Sequence, residues 1–214
     1  MADDLEGLIM ELKYKGSLKS AEIEKALRTV DRKNFVPAMQ SKYAYVDEPL
    51  PIAGGQTISQ PFTVVAMTEA LEVKMGDKVL EIGAGSGWQA AIIATIIGNK
   101  GFVWTVERLK ELVDFASSNL ERMKIKNVKV LLGDGSQGLK ENAPYDRIIV
   151  TAACPDVPQP LIEQLKENGL IVIPIGDLYS QDIIVGTKVK DSIVRKSLGG
   201  FRFVPLIGKF AFKE

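Results

Sequence analysis

The feature that most constrains this chain is an apolar strand that runs directly into a glycine-rich turn and then into a helical segment. The stretch reads Val79-Leu80-Glu81-Ile82-Gly83-Ala84-Gly85-Ser86-Gly87-Trp88-Gln89-Ala90. A strand–turn–helix unit of this kind brings backbone N–H groups and a helix N-terminus close to a ligand. The dinucleotide fingerprint G-x-G-x-x-G is not met, because Trp88 stands at its last glycine. The turn therefore favours a nucleotide-like ligand, although such turns also join strands to helices where nothing binds.

The glycines follow a different pattern, E-x-G-x-G-x-G, formed by Glu81, Gly83, Gly85 and Gly87. This pattern resembles motif I of the class I S-adenosylmethionine (AdoMet) methyltransferases. Their ligand carries a ribose and an adenine but no phosphate. The glycine motif alone marks that superfamily and no single family within it.

Composition restricts the class of protein. A chain of 214 residues with 46% hydrophobic content predicts one domain with a full core. The 27 basic and 27 acidic residues cancel, which argues against a general polyanion binder and hence against nucleic acid as a partner. No apolar run approaches the roughly 20 residues that span a bilayer, so no membrane partner is expected. The acidic N-terminus without a signal-peptide pattern and the single Cys154 agree with a cytoplasmic protein, and we expect a monomer.

The absence of histidine limits the available chemistry. It excludes a Ser-His-Asp triad, a Cys-His dyad and His-containing metal sites, and one cysteine cannot form a thiolate zinc site. We therefore expect no metal. Any reaction has to use carboxylates, hydroxyls, lysines, backbone dipoles or a cofactor.

Hydrophobic spacing predicts the elements of the fold. Two N-terminal helices are expected, the first after Asp3-Asp4 and the second capped by Ser20, and a third starts at Pro61 with Ser59 or Gln60 as its cap. Strands are predicted at 78–82, 102–106, 128–132, 147–151 and 170–174, with helices at 89–97, 108–123 and 158–166 between them. Three further strands are predicted at 183–189, 192–197 and 201–203, the last two joined by a turn at Gly199-Gly200.

Apolar strands that alternate with helices predict an α/β fold, a doubly wound and mostly parallel sheet. The consecutive C-terminal strands predict an antiparallel edge on that sheet. The chain is thus expected to form one methyltransferase domain, 1–214. A helical cap and substrate loop occupy 1–60, the AdoMet-binding core 61–176 and the antiparallel strands 177–214.

Two acidic residues follow successive strands of the predicted sheet. Glu107 ends the second strand, about twenty residues after the glycine turn, where a carboxylate can accept hydrogen bonds from both ribose hydroxyls. Asp134, in Gly133-Asp134-Gly135, ends the third strand, where it can receive an adenine amino group while the Gly135 N–H reaches a ring nitrogen. Each has a plainer interpretation, a helix cap for Glu107 and an Asp-Gly turn for Asp134. Their position with the glycine turn at three successive strand ends favours a cofactor site.

The segment 35–60 is rich in proline and glycine but also contains aromatic and apolar residues, so it is expected to be ordered and functional. It ends in Gln56-Thr57-Ile58-Ser59-Gln60-Pro61. Ser59 beside the free N–H groups of a helix start would receive a carboxylate well, although an N-cap role alone is also common. After the fourth strand, Thr-Ala-Ala-Cys replaces the N/D-P-P-Y signature of base-amino methylation. Cys154 lacks an activator and is expected to be an inert thiol.

Together these stretches resemble the protein-L-isoaspartate (D-aspartate) O-methyltransferase family. The resemblance covers essentially the whole chain and is weakest in the first thirty residues. Its Gln-Thr-Ile-Ser segment and Arg-Phe-Val-Pro-Leu ending are specific to this family. The matching stretches are 49–52, 55–61, 79–91, 133–135, 145–153, 160–161, 169–176 and 201–208.

The resemblance implies a seven-stranded Rossmann-like sheet with rearranged last strands, and AdoMet as cofactor with S-adenosyl-L-homocysteine (AdoHcy) as product. It implies that Ser59 is catalytic. The substrate-binding residues that it implies are Thr57, Ile58, Ser59, Val204 and Leu206. The cofactor-binding residues are Gly83, Ala84, Gly85, Ser86, Glu107, Arg108, Asp134 and Gly135. Two aromatic residues depart from the family pattern: Trp88 replaces a usual tyrosine and Phe62 a usual histidine or tyrosine.

The implied reaction is methyl transfer from AdoMet to the carboxylate of L-isoaspartyl residues in damaged proteins and peptides, with D-aspartyl residues as a second candidate substrate. Such a carboxylate is already ionised at neutral pH and needs no general base, which fits a chain without histidine. An AdoMet methyltransferase acting on a small molecule or RNA is the alternative. A catalytically inactive binding module is disfavoured by Ser59, Glu107 and Asp134 together, and an NAD-dependent dehydrogenase by Trp88.

Overall fold

A mostly parallel sheet of seven strands forms the centre of the molecule, in a computed structural model that describes residues 4–213. Within that range the α-helices are α1 (Leu5–Tyr14), α2 (Ala21–Thr29), α3 (Pro61–Leu71), α4 (Trp88–Ile97), α5 (Lys110–Arg122) and α6 (Gln159–Gln164), and several short 3-10 helices lie between the longer elements. The strands are β1 (Leu50–Pro51), β2 (Thr57–Ile58), β3 (Lys78–Ile82), β4 (Phe102–Glu107), β5 (Val128–Leu132), β6 (Tyr145–Val150), β7 (Leu165–Gly176), β8 (Gln181–Val189) and β9 (Ser192–Phe201). None of the helices in residues 4–213 has the length and apolarity needed to cross a bilayer.

The strand order of the sheet locates the expected ligand site. Across residues 4–213 the order is β5-β4-β3-β6-β7-β8-β9, parallel from β5 to β7 and antiparallel for the last two pairings. The chain builds β3, β4 and β5 outward to one side and then returns to place β6 on the other side of β3. Ligands of open α/β sheets bind at the carboxyl ends of the strands at such a reversal. The predicted α/β class, doubly wound sheet and antiparallel edge are confirmed.

The two N-terminal helices pack onto the sheet's helical layer. Their buried residues share one apolar cluster with residues of α4 and α5, among them Trp88 and Leu112. Asp4 caps α1 by accepting from the Gly7 N–H at 2.8 Å, and Asp3 lies outside the described residues. Ser20 holds the predicted cap position of α2 but donates its hydroxyl to Glu69 at 2.5 Å, and its side chain does not bond to α2.

The helix predicted at 158–166 is longer than the observed α6, which ends at Gln164. Tyr145 of β6 pairs with Leu165, so the chain is already extended at Leu165 and β7 begins there. The positive φ of Asn168, 59°, and a register shift between β6 and β7 accommodate the polar residues at the start of this strand. Sequence periodicity could not show this, because the strand begins in the polar stretch Lys166-Glu167-Asn168.

The separate strand predicted at 201–203 is also wrong. Gly199, with φ +105°, lies within β9 beside a register shift, and Gly200 and Phe201 continue the pairing with β8. The predicted turn is therefore a bulge in one long strand. Beyond it, the Phe203 N–H donates to the side chain of Gln181 at 2.8 Å.

The segment 35–60 has little regular structure, as predicted, but it is fixed in place. β1 and β2 form a two-stranded antiparallel ribbon, in which Leu50 pairs with Ile58 and Pro51 with Thr57. Ile58 is buried and Thr57 is exposed, so the ribbon turns one side to the core and the other outward. Ser59 follows directly and leads into α3.

Candidate active site

A cleft of about 1160 Å³ opens at the carboxyl ends of β3 and β4. Its walls come from three parts of the chain: the segment around β2 and the start of α3, the glycine turn after β3, and the segment after β9. It is lined by every residue predicted for substrate or cofactor except Asp134, namely Thr57, Ile58, Ser59, Gly83, Ala84, Gly85, Ser86, Glu107, Arg108, Gly135, Val204 and Leu206. Its volume exceeds the roughly 300–1,000 Å³ of ordinary small-molecule sites, which leaves room for a cofactor and part of a second molecule.

The glycine turn forms the floor of the cleft. Gly83 has φ +95°, and a Cβ on it would lie 2.3 Å from Oγ1 of Thr151. That hydroxyl lies between the carbonyl oxygens of Ile82 and Gly83, at 3.0 and 2.9 Å. Both conformation and space therefore require glycine at position 83. No sequence motif marks Thr151 as a support of the turn, because its partners, Ile82 and Gly83, lie nearly seventy residues earlier.

Glu107 joins the turn to the next strand end. Its side chain is buried, and its two oxygens accept from the Gly85 N–H at 3.2 Å and the Leu109 N–H at 3.1 Å. Leu109 is the cap residue of α5 and no side chain in residues 4–213 caps that helix, so the helix-cap interpretation of Glu107 is wrong; its carboxylate lines the cleft. Two weak backbone bonds hold it in place and leave acceptor capacity for hydroxyl groups of a ligand.

Asp134 is engaged by the protein itself. Its oxygens accept from the Ser136 N–H at 2.9 Å, the Ser136 hydroxyl at 2.7 Å and the Lys209 N–H at 2.8 Å. Burial opposes ionisation, but these hydrogen bonds outweigh it and lower the pKa of Asp134. The residue lines a smaller neighbouring cavity, of about 570 Å³, together with Arg108. Gly135, the next residue in the chain, is buried and lines the main cleft.

Ser59 lies at the entrance of α3, half-buried in the cleft wall. Within residues 4–213 no hydrogen bond engages its hydroxyl, while its carbonyl oxygen accepts from Arg32 at 3.0 Å. The predicted capping of α3 is only partly right. Gln60 occupies the cap position without a side-chain bond, and Asp47 accepts from the Phe62 N–H at 2.7 Å instead.

Asp47 brings charge to this end of the cleft. Its side chain is only 3% exposed, and Lys15, which lines the cleft, lies 2.7 Å from its second oxygen. This contact and the one with Glu11 raise the pKa of Lys15. Lys15 therefore neutralises the buried carboxylate of Asp47 beside the start of α3. Neither residue is predictable from sequence, since the two are distant in sequence and belong to no motif.

The segment after β9 forms the opposite wall. The carbonyl of Val204 accepts from the Ala153 N–H at 2.7 Å, and the Leu206 N–H donates to the Ala153 carbonyl at 2.8 Å. These bonds fix the segment to the exit of β6, with Val204 exposed and Leu206 buried. The neighbouring Cys154 is buried, and burial raises the pKa of its thiol to about 11, as expected for an unreactive cysteine.

Known proteins of one kind match this chain over nearly its whole length. The sequence model of the family Protein-L-isoaspartate(D-aspartate) O-methyltransferase (PCMT) matches residues 3–211. The protein-L-isoaspartate O-methyltransferase of Pyrococcus horikoshii is 49% identical over 205 residues, which cover 95% of this chain and 92% of the relative. That of Methanococcus aeolicus is 50% identical over 205 residues, 96% of this chain and 94% of the relative.

Solved structures agree with the sequence comparisons. A protein-L-isoaspartate O-methyltransferase superposes with a TM-score of 0.86 at 33% identity, covering 97% of this chain and 67% of the other. A candidate enzyme of the same kind from Plasmodium falciparum, in complex with AdoHcy, superposes with a TM-score of 0.85 at 27% identity. That match covers 97% of this chain and 100% of the other.

Proposed function

The chain belongs to the protein-L-isoaspartate (D-aspartate) O-methyltransferase family, and we propose that its cleft binds AdoMet beside Glu107 and an isoaspartyl carboxylate beside Ser59. The activity is AdoMet-dependent methylation of the carboxylate of L-isoaspartyl residues in damaged proteins. The following backbone amide nitrogen attacks the methyl ester, methanol leaves and a succinimide forms; hydrolysis of that ring converts part of the isoaspartate to normal aspartate. The observation that carries the assignment of roles is that Ser59 and the glycine turn line one cleft.

The residues of the turn fit a ligand with a ribose and an adenine. Backbone rather than side chains forms the floor at Gly83 and Gly85, and Glu107 offers carboxylate oxygens at the neighbouring strand end. We assign Gly83, Ala84, Gly85 and Ser86 to the cofactor's amino-acid part and Glu107 to its ribose. The adenine would lie towards Gly135, with Asp134 and Arg108 at its edge, where the smaller cavity adjoins.

AdoMet supplies an electrophilic methyl group when it is bound. The substrate carboxylate, with an ordinary pKa near 4, is ionised at neutral pH and attacks without a general base. The protein therefore has to position it, and in-line positioning can lower a barrier by roughly 7–11 kcal/mol. The hydroxyl of Ser59 would donate to one oxygen of the substrate carboxylate and so orient the carboxylate in the cleft. The partial positive charge at the start of α3 favours the same anion.

The remainder of the cleft suits a polypeptide. Thr57 and Ile58 precede Ser59 on one wall, and Val204 and Leu206 stand on the other. An extended chain between these walls would bring one side chain to Ser59 while its flanks stay in solvent. Isoaspartyl peptides and proteins are therefore the proposed partners. Action as a monomer, location in the cytoplasm and lack of nucleic-acid or membrane partners remain proposals, supported by the neutral net charge and the single buried cysteine.

The reaction is tested with labelled AdoMet and two synthetic peptides that differ only in one L-isoaspartyl or L-aspartyl residue. We expect base-labile label on the isoaspartyl peptide alone. Absence of label with AdoHcy still bound would keep the cofactor site and reject the substrate.

The role of Ser59 is tested with Ser59→Ala. A hydrogen bond to a charged group contributes about 1.5–3 kcal/mol, so kcat/KM for the isoaspartyl peptide should fall roughly 10- to 100-fold. The Kd of AdoHcy should stay within twofold of its original value. Ser192→Ala, at the exposed start of β9, is the matched control and should change neither quantity. An unchanged kcat/KM in Ser59→Ala would show that the hydroxyl does not hold the carboxylate.

A further inference from the structure

Arg32 is a charged side chain that solvent does not reach. Within residues 4–213 its hydrogen bonds all go to main-chain carbonyl oxygens. Nη1 donates to Ala44 at 3.0 Å and Val46 at 3.2 Å, and Nη2 donates to Glu48 at 2.9 Å and Ser59 at 3.0 Å. Four carbonyls of one loop therefore converge on a single guanidinium, and the last belongs to Ser59.

A buried charge without a carboxylate in hydrogen-bonding contact is costly and needs compensation. Burial lowers the pKa of Arg32 to about 10, so the group stays charged at neutral pH. The compensation comes from the loop, whose residues 44–59 contribute to regular structure only the two-residue strands β1 and β2 and a three-residue 3-10 helix. Its carbonyl groups lack ladder partners and need donors from elsewhere. The two terminal nitrogens of an arginine carry four N–H donors in a rigid fork and can serve all four carbonyls, whereas a lysine ammonium has three donors.

The other side of Arg32 faces the cofactor turn. Its guanidinium lies 5.5 Å from the centre of the Trp88 ring, and Trp88 is the first residue of α4, immediately after Gly87. The indole N–H of Trp88 donates to the Val30 carbonyl at 2.8 Å, two residues before Arg32. Arg32 therefore lies between the carbonyl of Ser59 and the helix that begins at the glycine turn.

We propose that Arg32 is a positioning residue for methyl transfer: it holds Ser59 and the loop 44–59 at a fixed place relative to the cofactor turn, through its contact with Trp88. This inference rests on the role proposed for Ser59. The cofactor turn is held independently, by Thr151 at Gly83 and by Asn119, whose side chain donates to the Ser86 carbonyl at 2.9 Å. Loss of Arg32 should consequently affect capture of the peptide and spare binding of the cofactor.

The test compares Arg32→Lys with Arg147→Lys. Arg147 makes a suitable control because its guanidinium also donates to carbonyl oxygens, those of Leu71, Glu72 and Asp146, and it lies near the opposite ends of the strands, outside the cleft. The amount of folded enzyme in each preparation is measured from the stoichiometry of AdoHcy binding. For Arg32→Lys we expect the KM for the isoaspartyl peptide to rise at least tenfold, with the Kd of AdoHcy within twofold of the original. Arg147→Lys should leave both values unchanged.

A merely structural role would lower the folded fraction and hence the apparent kcat, but it would not move KM. A peptide KM within twofold of the original in Arg32→Lys would therefore overturn the proposal, and so would an equal rise in the Kd of AdoHcy.

If Arg32→Lys yields no folded protein, Trp88→Leu serves instead, since it removes the ring that Arg32 contacts and keeps an apolar residue at the start of α4. A rise in peptide KM supports the proposal and an unchanged KM rejects it. Failure of the original enzyme to label the isoaspartyl peptide would reject the proposed function separately.

Discussion

Glu81 lies in the middle of the sheet, in the register position beside Thr105 of β4, and solvent does not reach it. No donor in residues 4–213 has hydrogen-bonding geometry to either of its oxygens. Burial, together with the nearby charge of Glu107, raises the pKa of Glu81 to about 8. At neutral pH the group is therefore mainly a neutral carboxylic acid, two residues before the glycine turn.

This shift predicts how stability depends on pH. The folded-state pKa of Glu81, about 8, exceeds its ordinary value of 4.5, so the folded protein holds the proton more tightly than the unfolded chain. The contribution to stability is complete below pH 4.5 and is lost as the pH rises towards 8, at up to about 1.4 kcal/mol per pH unit. Glu81→Gln should remove this slope. The measurement is urea unfolding at pH 5, 6.5 and 8. The difference in free energy of unfolding, Glu81→Gln minus the original protein, should increase from pH 5 to pH 8.

The control for this experiment is Glu141→Gln, at an exposed position. It should reproduce the pH dependence of the original protein. Parallel pH profiles for the original protein and Glu81→Gln would mean that Glu81 ionises normally in the folded state.

Single residues differ in how far sequence could assign them. Glu107 was found because a short motif fixes its distance from the glycine turn along the chain, and the structure places it in the cleft. Arg32, Asp47 and Thr151 were missed because their partners are backbone groups far away in sequence. A buried arginine or aspartate looks the same in sequence as a surface one. Only the folded chain shows which carbonyl or N–H group each side chain meets.

Among the elements, helices with a clear apolar face and strands of continuous Val, Ile and Leu were predictable. The boundaries that failed are those set by pairing between strands. β7 starts in a polar stretch because Tyr145 pairs with Leu165, and β9 continues through Gly199 because β8 is there to pair with it. Local pattern carries no information about such partners, so a strand inside a polar or glycine-containing stretch is invisible to it.

The cap of α3 gives a testable case of an element stabilised from outside. Asp47 accepts from the Phe62 N–H at 2.7 Å, although the two residues are 15 positions apart in sequence, and Asp47 also contacts Lys15. Asp47→Ala should lower the free energy of unfolding by about 1–2 kcal/mol, the usual effect of losing a helix cap. Because α3 begins beside Ser59, the same change should raise the KM for the isoaspartyl peptide severalfold. Chemical denaturation and steady-state kinetics measure the two effects.

Asp4→Ala provides the comparison for that prediction. Asp4 caps α1 through the Gly7 N–H at 2.8 Å, and it does not line the cleft. Its loss should cost a similar amount of stability, about 1 kcal/mol, without changing the peptide KM. If both variants leave KM unchanged, the cap of α3 contributes to stability only.

At the scale of the whole molecule, the site depends on parts of the chain that are far apart in sequence. The cap and loop supply Ser59, the parallel strands supply the glycine turn and Glu107, and the C-terminal segment closes the opposite wall. The C-terminal segment is also tied to the loop after β5, because the Lys209 N–H donates to Asp134 and the Phe210 N–H to the Ser136 hydroxyl at 3.0 Å. The doubly wound architecture was predictable from alternating strands and helices. The meeting of the three walls followed only from the family resemblance.

The apolar cluster shared by α1, α2, α4 and α5 leads to a last prediction, that cap and core unfold together as one domain. The chain has two tryptophans at different places. Trp88 lies at the junction of cap and core, while Trp104 lies on β4 against Phe102 and Tyr145, with ring centres 4.4 and 6.0 Å away. Trp88→Phe and Trp104→Phe each leave one reporter. In each variant the urea midpoint from fluorescence should equal that from far-UV circular dichroism.

The comparison is made within each variant, because Trp88→Phe also removes the hydrogen bond to Val30 and lowers stability by itself. Saturating AdoHcy should move both midpoints of a variant upward by the same amount, since a ligand that binds only the folded state stabilises the whole cooperative unit. A Trp88 signal that changes at lower urea than the circular dichroism would show that the cap detaches first. Since Arg32 and Ser59 both depend on that junction, early detachment would also mean that the peptide site is lost while the cofactor site persists.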